Sequence, residues 1–166
     1  MAALTLLLAT ACGPAEPLLV GVEEATVIAA ERLEEWGTVL RIQVRLENRG
    51  DAPVHVFTDL LQVLGENGSR GTVRDFRDRY RLQQARRVDA ERRGFENMFD
   101  RVGIQGDQVR ELVQAQIAVP AGQVVRRTLP FLLMGTQADT RYALDFAYHD
   151  DATDRITRLN LSVKSQ

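Results

Sequence analysis

The clearest pattern in the chain runs from Gly37 to Asn48, where Leu40, Ile42, Val44 and Leu46 alternate with Arg41, Gln43, Arg45 and Glu47. Successive side chains of a strand point to opposite faces, so this alternation predicts a strand with one face in a core and one in water. Asn48-Arg49-Gly50-Asp51-Ala52-Pro53 is rich in turn formers and predicts a reversal before a second extended run, Val54-His55-Val56-Phe57. Leu61-Gln62-Val63-Leu64 predicts a third, closed by the turn Gly65-Glu66-Asn67-Gly68. Upstream, the stretch from Val20 to Leu33, with Val22, Thr26, Val27 and Ile28, is expected to supply the first strand.

The C-terminal third repeats the pattern. Ile117-Ala118-Val119 leads through Pro120-Ala121-Gly122 to a strand over Val124 to Leu133. Tyr142, Leu144, Phe146 and Tyr148 alternate with Ala143, Asp145, Ala147 and His149. The Asp150-Asp151-Ala152-Thr153-Asp154 turn then opens a last hairpin strand carrying Leu159, Leu161 and Val163. Short strands separated by turn signals predict an all-β antiparallel sandwich of about seven strands. Between the halves, Arg70 to Arg101 holds ten Arg and six acidic residues. Arg74, Arg77, Arg79 and Arg81 alternate as in an extended stretch. Tyr80, Leu82, Ala85, Val88, Phe95, Met98, Phe99 and Val102 fall partly at helical spacing. This predicts a charged insertion over about residues 74–110, with one or two short helices covering the sandwich. Trp36, before Gly37, is expected to cap a sandwich edge.

The N-terminus changes the picture of where the domain acts. Ala2 to Ala11 is apolar apart from two threonines and ends in Ala9-Thr10-Ala11-Cys12, which holds the only cysteine. An apolar run of this length is too short for a bilayer-spanning helix of about 20 residues and fits a secretory leader. The pattern resembles the lipobox of bacterial lipoproteins, in which cleavage precedes the cysteine and that cysteine carries the lipid. The resemblance implies a signal peptide over residues 1–11, a lipidated Cys12 with a linker over 12–20, and a folded domain over 21–166. Gly13-Pro14-Ala15-Glu16-Pro17 suits such a tether, since proline cannot continue a helix. The apolar run lacks a preceding Lys or Arg, and Ala9 stands where the lipobox favours Leu. Gly13, rather than Asp, follows the cysteine. The expected location is therefore the periplasmic face of the outer membrane in a diderm host, or the cell surface otherwise.

Thr38 through Gly68 resembles the immunoglobulin-like domain found in many bacterial lipoproteins. The shared pattern is an alternating strand, then Asn48-Arg49-Gly50-Asp51-Ala52-Pro53-Val54, an apolar strand and a glycine turn. Val119-Pro120-Ala121-Gly122-Gln123, Leu129-Pro130-Phe131 and Tyr142-Ala143-Leu144-Asp145-Phe146 resemble its closing half. The resemblance implies an immunoglobulin-like sandwich and leaves the activity unknown, because that family has no general catalytic site to carry over.

Candidate chemistry is sparse. A single cysteine allows no internal disulfide, and the net charge of −2 opposes nucleic-acid binding through bulk charge. No phosphate loop, zinc-binding H-E-x-x-H or nucleophile elbow occurs, and His55 and His149 are the only histidines. The chain is expected to be non-catalytic, with no cofactor and no metal. Arg49-Gly50-Asp51 and Asn67-Gly68 read as turn chemistry. His149, Asp150, Asp151 and Asp154 gather at one tip without the spacing of a calcium loop, so an exposed acidic turn is expected. The segment assigned to ligand contact is the insertion, through Arg86, Arg87, Arg92 and Arg93. Their guanidinium forks suit the phosphates of phospholipid or lipid A. The alternative is a solvated face paired with Asp75, Asp78, Asp89, Glu91 and Glu96. The functional expectation is a lipid-anchored envelope protein that binds or assembles with another envelope protein. Recognition of an anionic ligand by the insertion is its alternative, and a hydrolase, which would need a nucleophile near His55 or His149, ranks below both.

Overall fold

The computed structural model describes residues 16–28, 38–90, 115–134 and 139–165, with backbone alone at 28, 83–90 and 134. Within them lie nine strands and one α-helix. The strands are β1 (Leu18–Ile28), β2 (Thr38–Asn48), β3 (Val54–Phe57), β4 (Gln62–Gly65), β5 (Arg70–Thr72), β6 (Gln116–Val119), β7 (Val124–Met134), β8 (Arg141–Asp150) and β9 (Arg155–Lys164). The helix is α1 (Val73–Ala90). All pairings are antiparallel.

The alternation in β2 is realised residue by residue. Leu40, Ile42, Val44 and Leu46 are fully buried, while the polar residues between them stay half-buried on the other face. In β8, Tyr142, Leu144, Phe146 and Tyr148 are buried in the same way. One layer is β1–β2–β7–β5 and the other is β9–β8 with β3 and β4, to which β6 adds along β3. The inward residues of both layers form one cluster, in which Leu40, Ile42 and Phe131 meet Val56, Val63, Leu144 and Phe146. Each such side chain contributes about 1.5–3 kcal/mol on leaving water, which makes this cluster the main stabilising term. The expected all-β antiparallel sandwich is the architecture found, with nine strands in place of about seven. The strand that no run in the sequence announced is β5, three residues that link β4 to β7, while β3 and β4 lie end to end along β8 across a 3-10 turn (Thr58–Leu60).

Two expectations need correction. The linker does not extend to residue 20, because β1 begins at Leu18, whose side chain is buried in the core. Leu18 pairs with Asn48, and the Pro17 carbonyl accepts the Arg49 amide at 2.6 Å. The stretch holding Arg74, Arg77, Arg79 and Arg81 is not extended but helical, as part of α1. Thr72 Oγ1 accepts the Asp75 amide at 2.9 Å, the N-cap bond of a Thr-x-x-acid start. That cap outweighs a two-residue spacing of arginines, which carries no apolar face for a strand to bury.

α1 lies against β7, β5 and the 3-10 turn. Its Phe76 is buried, as are Val39 and Leu132, which oppose each other on the outer face of β2–β7. These three stand outside the central cluster, so the helix start is seated on the outside of the sheet. Arg77 is also buried, and its Nη2 meets Asp59 Oδ1 at 2.5 Å. The expected signal peptide over 1–11, with Cys12, Trp36, Arg92, Arg93, Phe95, Met98 and Phe99, lies outside the described residues. Among the described residues no helix is long and apolar enough to cross a membrane.

Candidate functional site

The pairing of β3 with β8 sets His55 directly opposite His149. Both side chains are on the outer face, because their neighbours Val54, Val56 and Tyr148 point into the core. Asp151, the first residue past β8, reaches back between the two rings. His55 Nε2 lies 3.0 Å from Asp151 Oδ2, and His149 Nδ1 lies 2.9 Å from Asp151 Oδ1. The second nitrogen of His149, Nε2, is 3.1 Å from Asp154 Oδ1. The rings of Phe57 and His149 form a T-shaped pair, with centroids 6.3 Å apart and planes at 62°. The bonds to Asp154 and then to Asp151 raise the pKa of His149 above its ordinary value.

The turn that carries both aspartates is built locally. Asp150 is buried and accepts the Ala152 amide at 3.0 Å and the Thr153 hydroxyl at 2.7 Å, a side chain capping its own turn. The Asp151 amide donates to the Pro53 carbonyl at 3.3 Å, which ties the turn to the loop after β2. Asp154 adopts φ +51°, a left-handed conformation that aspartate tolerates better than most residues.

Asn48 organises the facing loop. Its Nδ2 donates to the carbonyls of Ala52 and Val119, both at 2.9 Å, and its Oδ1 accepts the Gly50 amide. Arg49 is then turned toward Glu47, with Nε 2.9 Å from Oε1. Arg49 and, after it, Arg45 lower the Glu47 pKa.

Between this loop, the 151–154 turn and the incoming chain at Glu16 and Pro17 lies an open cleft of about 520 Å³. Its polar rim includes Arg49, Asp51, Asp150, Thr153 and Arg155, and Tyr148 forms part of its floor. Burial raises the Tyr148 pKa, and its hydroxyl, near Thr157 and the Leu18 backbone, makes no well-formed hydrogen bond among the described residues. Asp150 is engaged in its own turn and Arg49 with Glu47. Glu16, Asp51 and Arg155 make no side-chain bond among the described residues, leaving groups of both signs at the rim.

His149, Asp150, Asp151 and Asp154 are thus brought together as expected, but the partition is different. Asp150 serves the turn, and His55 joins the cluster from another strand. Sequence reading missed His55 because its partner is set by a β3–β8 register spanning about ninety residues, which no local pattern encodes. Among the described residues no group of three or more His, Cys, Asp or Glu side chains is arranged to hold a metal, and no serine is bonded to either imidazole. Arg86 and Arg87 occupy the last turns of α1. That helix starts from β5, paired to the far end of β7, roughly 30 Å along the strand from the Val124 end near the cleft.

No family model matches the chain and no curated protein matches it. Among solved structures, the crystal structure of FixG-related protein from Vibrio parahaemolyticus is similar over 91% of this chain and 98% of its own. The identity is 12% and the TM-score 0.39.

Proposed function

We propose that this chain is a lipid-anchored bacterial envelope protein that acts as a non-catalytic binding or assembly module, with the cleft end of the sandwich as its contact region. The observation that carries the reading is the position of Glu16 and Pro17, which line the cleft. Cys12 stands four residues before Glu16. A tether of that length spans at most about 14 Å. A lipid on Cys12 therefore holds the cleft, the 49–53 loop and the 151–154 turn next to the membrane face. Confinement raises the effective concentration of the module for a partner in the same membrane. The uncommitted groups at the rim have both signs, which suits a polar protein surface better than a phosphate-dense one.

Membrane fractionation with mass spectrometry of the mature N-terminus, for wild type and Cys12→Ser, tests the anchor. A lipidated Cys12 in the membrane fraction, lost in Cys12→Ser, is the expected result. A soluble chain that retains residues 1–11 overturns it. A photo-crosslinking residue at Thr153 tests the contact region and is expected to yield an adduct with another envelope protein. The same residue at Arg158, outside the cleft, is expected to yield none.

A further inference from the structure

His149 faces a carboxylate with each of its ring nitrogens, Asp151 at Nδ1 and Asp154 at Nε2. A carboxylate only accepts, so both bonds exist together only when both nitrogens carry protons. The doubly bonded geometry is therefore that of the imidazolium. The other groups that face His149 come from β3 and β9. From β3 come His55, which meets Asp151 through Nε2, and the ring of Phe57. From β9 comes Ile156, which opposes His149, while Arg158 further along the same face is taken by Asp145 at 2.6 Å. The uncommitted cation nearest the two carboxylates among the described residues is Arg155, which opposes Asp150 and alternates to the other face of β9 from Ile156, toward the cleft.

The two ties are not equivalent. Asp151 is held by His55 and by its own amide on Pro53. Asp154 is 96% exposed and makes no other side-chain bond among the described residues. When His149 loses a proton, the lone pair comes to face the carboxylate that can swing into water most freely, which is Asp154. We propose that protonation of His149 clamps Asp154 and so adds a second tie to the 151–154 turn, beside the Asp150 bonds to Ala152 and Thr153, so that the cleft wall formed by those two residues is more ordered in acid and looser as pH rises. This regulation rests on the cleft being the contact region. It makes partner binding there stronger below the His149 pKa than above it.

The test is a titration of the histidine ring resonances in the full chain in detergent micelles, from about pH 5 to about pH 9, the span over which histidine changes charge. Heteronuclear NOEs of the Ala152, Thr153 and Asp154 amides are recorded alongside. The expected result is a His149 titration above the ordinary histidine value, with the three NOEs falling as pH rises through it and Phe146 unchanged. In Asp154→Asn the His149 midpoint moves down and the pH dependence of the turn disappears. In His149→Gln the turn is mobile at every pH. A His149 midpoint at or below the ordinary value, or turn NOEs that ignore the titration, overturns the proposal. So does a rigid turn in His149→Gln. The titration does not involve the lipid, so an unlipidated Cys12 or a silent Thr153 crosslink defeats the contact-region reading while leaving this result intact.

Discussion

The side chain of Asn48 and the backbone of Val119, 71 residues apart in sequence, are joined by a buried 2.9 Å hydrogen bond. The same amide also holds Ala52, and its oxygen holds Gly50, so one residue sets the 48–53 loop and fastens it to β6. Asn48→Ala leaves these groups without partners and is expected to destabilise the domain by about 2–4 kcal/mol, from roughly 1–3 per unsatisfied buried group. Urea unfolding measures this, and a loss below about 0.5 kcal/mol would mean that water replaces the amide.

Arg77 and Asp59 give an asymmetric prediction. Nε and Nη1 of Arg77 are buried without partners, and Asp59 is its only ion-pair partner among the described residues. Asp59→Ala strands a buried cation and is expected to cost about 2–3 kcal/mol, discounted from 3–5 because Asp59 is partly exposed. Arg77→Met removes charge and orphaned donors together and should cost less than Asp59→Ala. The reverse order in thermal unfolding would refute the pairing as the source of stability.

Gly65 is required by contact and not by backbone conformation. A β-carbon there would overlap Asp139 Oδ2 and would also meet Ser69 Oγ. Asp139 is buried and accepts the Asn67 amide and the Ser69 hydroxyl, holding the turn in which Gly68 takes φ +87°. Gly65→Ala should therefore destabilise the wild type more than it destabilises Asp139→Ala. Equal losses in a double-mutant cycle would show that the clash is relieved elsewhere.

Two solvent-facing groups shape stability against pH. Folding raises the pKa of His149, so its contribution is complete below 6.5, the ordinary value, and is lost as pH rises through the folded pKa. Folding lowers the pKa of Glu47, so its contribution is complete above 4.5 and is lost as pH falls through the folded pKa. Both are present together between these values, where the urea midpoint should be highest. Glu47→Gln should flatten the acid side of that maximum and Asp154→Asn the side toward neutrality.

Buried tyrosines add an alkaline limit. Burial raises the pKa of Tyr142 and Tyr148, which favours the neutral phenol in the folded state. Their contribution is complete below about pH 10, the ordinary tyrosine value, and declines above it as pH passes the folded pKa. Tyr148→Phe should shift alkaline unfolding to higher pH while leaving the midpoint near neutrality little changed.

What the sequence by itself determined are the elements whose information is local. The alternations in β2 and β8 placed Leu40, Ile42, Val44, Leu46, Leu144 and Phe146 in a core, because a period of two leaves only one face to bury. The turns at 48–53, 65–68 and 150–154 were legible from glycine, asparagine and aspartate, which favour reversals through their own backbones and side chains. The helix α1 was legible in kind, but its start was not read, since the signal is one hydroxyl, Thr72, bonded three residues ahead. The tertiary structure alone decided the rest. Only the β3–β8 register brings His55 to Asp151, and only the burial of Phe76, Val39 and Leu132 outside the main core seats the helix on the sheet. Registers and packing faces are settled by the free energy of the whole assembly, so no window of sequence contains them.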